Sequence, residues 1–269
     1  RGSLSLDTFT HPDYRCAGIF TKLAENVYSL LNADGIAFTV GLPNDNSRPG
    51  FLKYLKFEER YSVYRMIRLF SPHAAFPVWA KRTIAKVPFG PLNKSMLIRR
   101  DLEINTCKHL EKSWLEELWK AEMTKKTTGI FQNTEYIYWR YEANPRFENR
   151  CLTATAKGGQ PIGYLVWNTK IEKHSHSLNI IELMDVVCHD WRSSFLLLQT
   201  FFDEVCTSVD GVGALATLWT RQWLTLTTFG FIPVRKRSFI YREHMCPSNI
   251  SGYLQSNRWS LNNSYRDVI

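Results

Sequence analysis

The succession of local patterns in residues 4–69 returns in residues 178–243, and this duplication restricts the possible folds more than any other feature of the chain. Each stretch reads strand, helix, strand, short helix, strand. In the first, Leu4 to Thr10 alternates as a strand, and His11-Pro12-Asp13-Tyr14-Arg15 forms a turn. Apolar residues then recur at helical spacing through Ile19, Phe20, Leu23, Ala24, Val27, Leu30 and Leu31, and Asn32-Ala33-Asp34-Gly35 supplies the stop. Ile36 to Leu42 reads as a short buried strand, Pro43-Asn44-Asp45-Asn46 as a turn, Ser47 to Leu55 as a short helix, and a last strand ends at Leu69. The crossover between the parallel strands is predicted to be right-handed.

The second stretch is preceded by further strands. Cys151 to Lys157, Ile162 to Ile171 and Leu178 to Cys188 form a three-stranded meander around a Gly158-Gly159-Gln160-Pro161 turn and a polar turn at His174-Ser175-His176-Ser177. A helix from Ser193 to Ser208, a strand from Ala214 to Trp219, a helix from Arg221 to Thr228 and a strand from Ile232 to Arg242 complete it. Local echoes support a repeat: Pro12-Asp13-Tyr14-Arg15 against His189-Asp190-Trp191-Arg192, and Leu55-Lys56-Phe57 against Phe229-Gly230-Phe231. The predicted organisation is a first domain over 1–70, a linker over 71–105, a second copy over 106–245 and a tail over 246–269. A helix over 107–126 packs in the second copy through Leu110, Trp114, Leu115, Leu118 and Trp119. The first copy lacks opening strands equivalent to the meander, and the start at Arg1-Gly2, already within a strand, leads us to expect an upstream part.

Composition limits the function classes. With 269 residues and 44% hydrophobic content the chain can bury one large or two ordinary cores. No apolar run reaches the roughly 18 residues of a membrane span and no leader pattern is present, so a cytoplasmic location is expected. The net charge of +9 suits a polyanionic ligand, but it is dispersed and accompanied by no recognised nucleic-acid motif, so no nucleic-acid partner is expected. The six cysteines lie far apart without a CxxC pair, which argues for reduced thiols and against a metal site.

The sharpest chemical feature is Arg15-Cys16-Ala17-Gly18-Ile19-Phe20, small residues bridging a strand end to a helix start. Such a turn presents backbone N–H groups without intrahelical partners, reinforced by the helix dipole, and can hold a pyrophosphate. The alternative reading of the same residues is an ordinary tight connection.

His11 through Phe20 resembles the [Q/R]-x-x-G-x-[G/A] segment of the GNAT acyltransferases, which transfer an acyl group from acyl-CoA to an amine. Phe20 stands where Gly or Ala is commoner. Gly41-Leu42-Pro43-Asn44-Asp45-Asn46-Ser47 and Phe51 to Phe57 are similar to that family's fifth strand, Asn-containing turn and following helix. The resemblance implies an α/β (α+β) fold of two GNAT-like domains, each a mixed, mostly antiparallel sheet with a splayed parallel strand pair flanked by helices. It implies that backbone amides of Cys16, Ala17, Gly18, Ile19 and Phe20 hold the pyrophosphate of acetyl-CoA or another acyl-CoA, with Arg15 also in the cofactor site. Thr8, Phe9 and Thr10 would line the splay, and Asn46 would contact the pantetheine or adenosine. No metal is implied. The acceptor would be a small-molecule primary amine such as an amino sugar. Asp7 is the candidate base; His11 is a weaker one. Leu52 stands at the place of the family's acid tyrosine, which leaves Tyr54, two residues on and about 200° round the helix, as the candidate acid. The second copy lacks the glycine, Arg192-Ser193-Ser194-Phe195, and is expected to bind no CoA; Glu182 and Asp185 are candidates to reach the amine substrate, or are surface acids. Tyr136, Trp139, Arg140 and Tyr141 read as a packing face. A catalytically silent binding or assembly module is the alternative function.

Overall fold

A computed structural model describes residues 2–6, 10–70, 101–122, 132–143, 148–173 and 178–244. The first repeat contains β1 (Gly2–Ser5), α1 (Ile19–Ala33), β2 (Phe38–Gly41), α2 (Arg48–Tyr54) and β3 (Glu58–Leu69). The second contains β4 (Leu102–Cys107), α3 (Lys112–Glu122), α4 (Thr134–Ile137) with a wide π-helical turn over Tyr138–Glu142, then β5 (Asn149–Ala156), β6 (Pro161–Lys173), β7 (Asn179–Cys188), α5 (Trp191–Val205), β8 (Gly211–Thr217), α6 (Arg221–Thr228) and β9 (Ile232–Glu243). The mixed α/β class and the succession of elements agree with the sequence reading.

Three local expectations need correction. The first strand ends at Ser5, and Thr10 lies outside it in a turn that continues as a 3₁₀ turn at Pro12–Tyr14; Asp7, Thr8 and Phe9 fall outside the described residues. Residues 102–107, read as linker and helix start, form β4, which pairs antiparallel with β5. That register sets Cys107 opposite Cys151, and the two are joined in a disulfide rather than standing as free thiols. A sequence separation of 44 residues carries no signal for such a pair; only strand register brings it about.

The chain forms two compact units. One holds the described residues up to Tyr64 and those from Arg235 onward; the other holds Arg65–Val234. The first unit has the strand order β1-β2-β9-β3, with β1 and β2 parallel and β2 and β9 antiparallel. The last strand of the second repeat thus completes the sheet of the first. Arg242 on β9 donates to the Leu55 carbonyl at 3.0 Å and lies 4.6 Å over the Tyr28 ring. Behind the sheet, Tyr28, Phe51, Leu55, Phe57 and Ile240 form one core, with Phe20, Ala24, Leu31 and Leu52 packed against it.

The second unit has the order β3-β8-β7-β6-β5-β4. Its core includes Leu115, Leu118, Ile137, Tyr141, Tyr164, Val166 and Met184, so the packing helix read at 107–126 does pack, over Lys112–Glu122. β7 and β8 run parallel and pair at Ile180–Glu182 with Gly211–Gly213. A register shift opposite Val166 and Trp167 leaves Met184 as an extra residue in β7, a bulge of the kind that bends a strand and re-aims its side chains.

Both repeats end their short helix with a left-handed residue before a phenylalanine: Lys56 at φ +56 and Gly230 at φ +79. Lysine pays a steric cost there that glycine avoids. Lys56→Gly is therefore expected to stabilise the fold by about 0.5–1 kcal/mol, measured as a higher urea midpoint at unchanged m-value; a lower midpoint would refute the assignment of strain.

Candidate functional site

The loop singled out by sequence lies at the start of α1. Tyr14 and Arg15 donate backbone bonds to His11 and Pro12, closing the turn. The Arg15 side chain then reaches back to the Thr10 carbonyl, Nε to O at 3.3 Å. Cys16 and Gly18 are both left-handed, at φ +66 and +74. These reversals bring the chain round so that α1 begins at Ile19 with Gly18 as a cap that has no side chain. The first helical bond runs from Lys22 N–H to the Gly18 carbonyl at 3.0 Å, so the N–H groups of Ile19, Phe20 and Thr21 have no partner within the helix. The first turn contains no acidic residue, and nothing lies within 4 Å of a Cβ built on Gly18. Cys16, Ala17, Gly18 and Ile19 are exposed. Backbone donors, helix dipole and open approach coincide, which is what an anion requires.

Phe20 behaves differently from its loop neighbours. Its ring meets Phe51 edge-on with centroids 5.3 Å apart and passes 3.2 Å from a Cβ built on Gly50, tying the start of α1 to α2. Its side chain belongs to the core, and only its backbone faces the loop. At the head of α2, Asn44 Oδ1 accepts from the N–H groups of Asn46 and Ser47, at 3.0 and 2.9 Å, while Asn46 itself is exposed. Tyr54 is 55% exposed at the end of α2, with the Lys53 ammonium 5.2 Å from its ring centroid. Leu52 packs against the core.

Sequence reasoning missed two polar features of this unit. Tyr28, left out of the apolar positions read on that helix, is a buried phenol whose hydroxyl pairs with Ser5, the last residue of β1; burial raises its pKa despite the nearby Arg242 charge and keeps it protonated. Ser3, Thr39 and His244 form a chain of side-chain hydrogen bonds, each 2.6 Å long, toward the opening ends of β1 and β2. His244 is held below the usual imidazole pKa by burial and by Arg242. No local motif announces either feature, because each joins residues from separate elements.

In the second unit the equivalent helix start is closed. Asp190 caps α5, its carboxylate accepting from Ser193 N–H at 3.0 Å and from the Ser193 hydroxyl at 2.7 Å. A carboxylate already takes the place an anionic ligand would need. The two candidate acids on β7 are also engaged. Glu182 pairs with Arg65 in a buried salt bridge. Asp185 is fully buried, and its Oδ2 accepts from the hydroxyls of Tyr141 and Tyr164, each at 3.2 Å. Burial pushes its carboxyl up to about 6, against the opposing effect of hydrogen bonds from Gln132, Tyr164, Tyr141 and the Val186 backbone.

The fold as a whole is similar to solved structures. A GCN5-related N-acetyltransferase from Anabaena variabilis aligns at TM-score 0.59 and 13% identity over 87% of this chain and 53% of its own. One from Kribbella flavida aligns at TM-score 0.55 and 14% identity over 89% and 51%. The fold is that of the GCN5-related N-acetyltransferases. A conserved protein from Enterococcus faecalis aligns equally well, at TM-score 0.59 and 12% identity over 87% of this chain and 52% of its own. The chain thus spans about half the length of each of these GNAT-fold structures. No family model and no curated protein matches the sequence. Among the described residues no helix is long and apolar enough to cross a membrane.

Proposed function

We propose that this chain binds an acyl-CoA, acetyl-CoA in the first instance, on the Arg15–Phe20 loop and serves transfer of the acyl group to a primary amine of a small molecule such as an amino sugar. The observation that carries this reading is the contrast between the two helix starts. The start of α1 is open, glycine-capped and free of acids, whereas α5 is sealed by Asp190. Loop amides of Cys16 to Phe20 would hold the pyrophosphate, with Arg15 adding charge and Asn46 at the head of α2 meeting the rest of the cofactor. Thr8, Phe9 and Thr10 follow β1 and would border the path of the pantetheine arm.

In the reaction, the neutral amine attacks the thioester carbonyl carbon. A C–N bond forms, the C–S bond breaks, the amine proton passes to a base and the thiolate takes a proton from an acid. Asp7 and Tyr54 are the groups we assign as base and acid. A second reading, a silent GNAT-fold module that binds CoA without turnover, is favoured by Leu52, whose side chain is packed against the core where the family carries its acid tyrosine.

The test is a thermal-shift titration with CoA and acetyl-CoA. At about 100 times Kd, binding adds about 2.7 kcal/mol and raises Tm by several degrees. Gly18→Glu, which sets a carboxylate at the anion position, is expected to abolish the shift. Gly18→Asn, tolerant of left-handed backbone and uncharged, should retain most of it. Normal CoA binding by the Glu variant would overturn the loop assignment. Acyl transfer to any member of an amine panel would exclude the silent module.

A further inference from the structure

The register of β4 on β5 sets two cysteines face to face independently of any bond between them. Six residue pairs form the ladder, from Leu102 opposite Ala156 to Cys107 opposite Cys151. The Cα atoms of the cysteines lie 5.2 Å apart, inside the range that a disulfide requires. The ladder therefore keeps the two sulfurs within reach whether or not they are joined. The reduced state is provided for as well. Cys151 Sγ lies 2.9 Å from the Cys107 carbonyl oxygen, so the thiol that appears when the bond opens has an acceptor already in place.

The two sulfurs differ in access. Cys151 is 3% exposed and belongs to the core of the second unit with Tyr141, Tyr164 and Met184, whereas Cys107 is only partly buried at the margin of that core. β4 is the last strand in the order of the second unit, and among the described residues it pairs with β5 alone. Between the cysteines the chain passes through α3, α4 and the π-helical turn, the stretch that brings Gln132 and Tyr141 to Asp185. The bond closes a loop over that stretch, and a closed loop limits what the opened chain can explore.

We propose that Cys107 and Cys151 are a reversible thiol–disulfide couple that exchanges with a low-molecular-weight thiol such as glutathione, with Cys107 as the sulfur attacked, and that the bond clamps β4 to the sheet. In the opening step a glutathione thiolate attacks Cys107 Sγ. A mixed disulfide forms, the bond to Cys151 breaks, and Cys151 leaves as a thiolate that takes a proton. A second glutathione thiolate attacks the glutathione sulfur of the mixed disulfide, releasing oxidised glutathione and a Cys107 thiolate that is protonated in turn. Two glutathione thiols are oxidised to one disulfide, and the protein disulfide is reduced to two thiols. Closure is the reverse. A bond with both sulfurs sealed in the core would be shut off from this exchange, and the partial exposure of Cys107 is what permits it.

The test equilibrates the whole chain in glutathione buffers of graded thiol-to-disulfide ratio, blocks free thiols with an alkylating agent and maps them by mass spectrometry. The pair is expected to pass from about nine-tenths oxidised in the disulfide-rich buffers to about nine-tenths reduced in the thiol-rich ones. Amide exchange over Leu102–Cys107 should quicken on reduction by about tenfold or more, while that of the buried strand β8 stays unchanged. In Cys151→Ser glutathione should be trapped on Cys107, and in Cys107→Ser none should be found on Cys151. A pair that stays oxidised in the thiol-rich buffers is a fixed structural bond, and one that stays reduced in the disulfide-rich buffers is no couple; either result overturns the proposal. So does reduction without a change in β4 exchange, or glutathione on Cys151 in place of Cys107. The titration and the exchange measurement use the native chain, so a serine variant that failed to fold would leave the test standing.

Discussion

Gly213→Ala is expected to cost about 3 kcal/mol or more of stability, the scale of a broken buried ion pair. Gly213 lies in β8, between β3 and β7 in the order of the second unit's sheet. Arg65 on β3 and Glu182 on β7 reach across it to form their buried salt bridge. A Cβ at Gly213 would sit 2.9 Å from Glu182 Oε2 and 2.8 Å from its Cδ, closer than real contacts allow. The carboxylate is the far end of a side chain, but it has little freedom to yield: the Glu182 and Arg65 side chains are only 5% and 10% exposed. The added methyl must push it off Arg65 and leave two buried charges poorly paired. For a chain of this size the loss corresponds to a fall in Tm of roughly 6–12 °C. Replacing the pair by apolar residues, Glu182→Leu with Arg65→Met, should relieve most of the penalty in the Gly213→Ala background, because no charge is then left unpaired. A Tm within about two degrees of the parent would show that the glycine is not the clearance for this pair.

The same glycine explains where sequence reading stopped short. The sequence places this strand at Ala214 to Trp219, yet β8 runs from Gly211 to Thr217 and takes in two glycines, residues usually depleted in strands. Both glycines are there for close approach: a Cβ on Gly211 would lie 2.7 Å from the Arg68 carbonyl oxygen. Helix α1, by contrast, was legible almost to the residue, since its apolar period and its Asp34-Gly35 stop are local signals. The loop at Arg15–Phe20 was legible for the same reason. The closing of α5 by Asp190 was only half visible. The missing glycine and the bulk of Phe195 argued against a ligand, but it is the capping carboxylate that occupies the site. Glu182 and Asp185 show the limit most clearly. Two acids in a strand say nothing by themselves of Arg65, more than a hundred residues away, or of the tyrosines that β6 and the π-helical turn bring to β7.

That buried acid gives the chain an unusual pH response. The Asp185 carboxyl titrates near 6 in the fold, against 3.8 in its absence, chiefly because burial disfavours its charge. Between these values the native state holds more protons than the unfolded chain, so this group's contribution to stability falls as pH rises through that window and remains lost above about pH 6. The direction is opposite to that of a salt-bridged carboxylate, whose contribution is lost in acid. A shift of about two units at 1.36 kcal/mol each sets an upper bound near 3 kcal/mol. Asp185→Asn keeps the shape and an oxygen to accept the Tyr141 and Tyr164 hydroxyls, but it cannot ionise. The variant is therefore expected to match or slightly trail the parent at pH 4 and to exceed it by about 1–3 kcal/mol at pH 8, read from urea unfolding at each pH. If the difference between variant and parent did not change between pH 4 and 8, the carboxylate would have to be charged throughout, and the two tyrosines and Gln132 would be offsetting its burial in full.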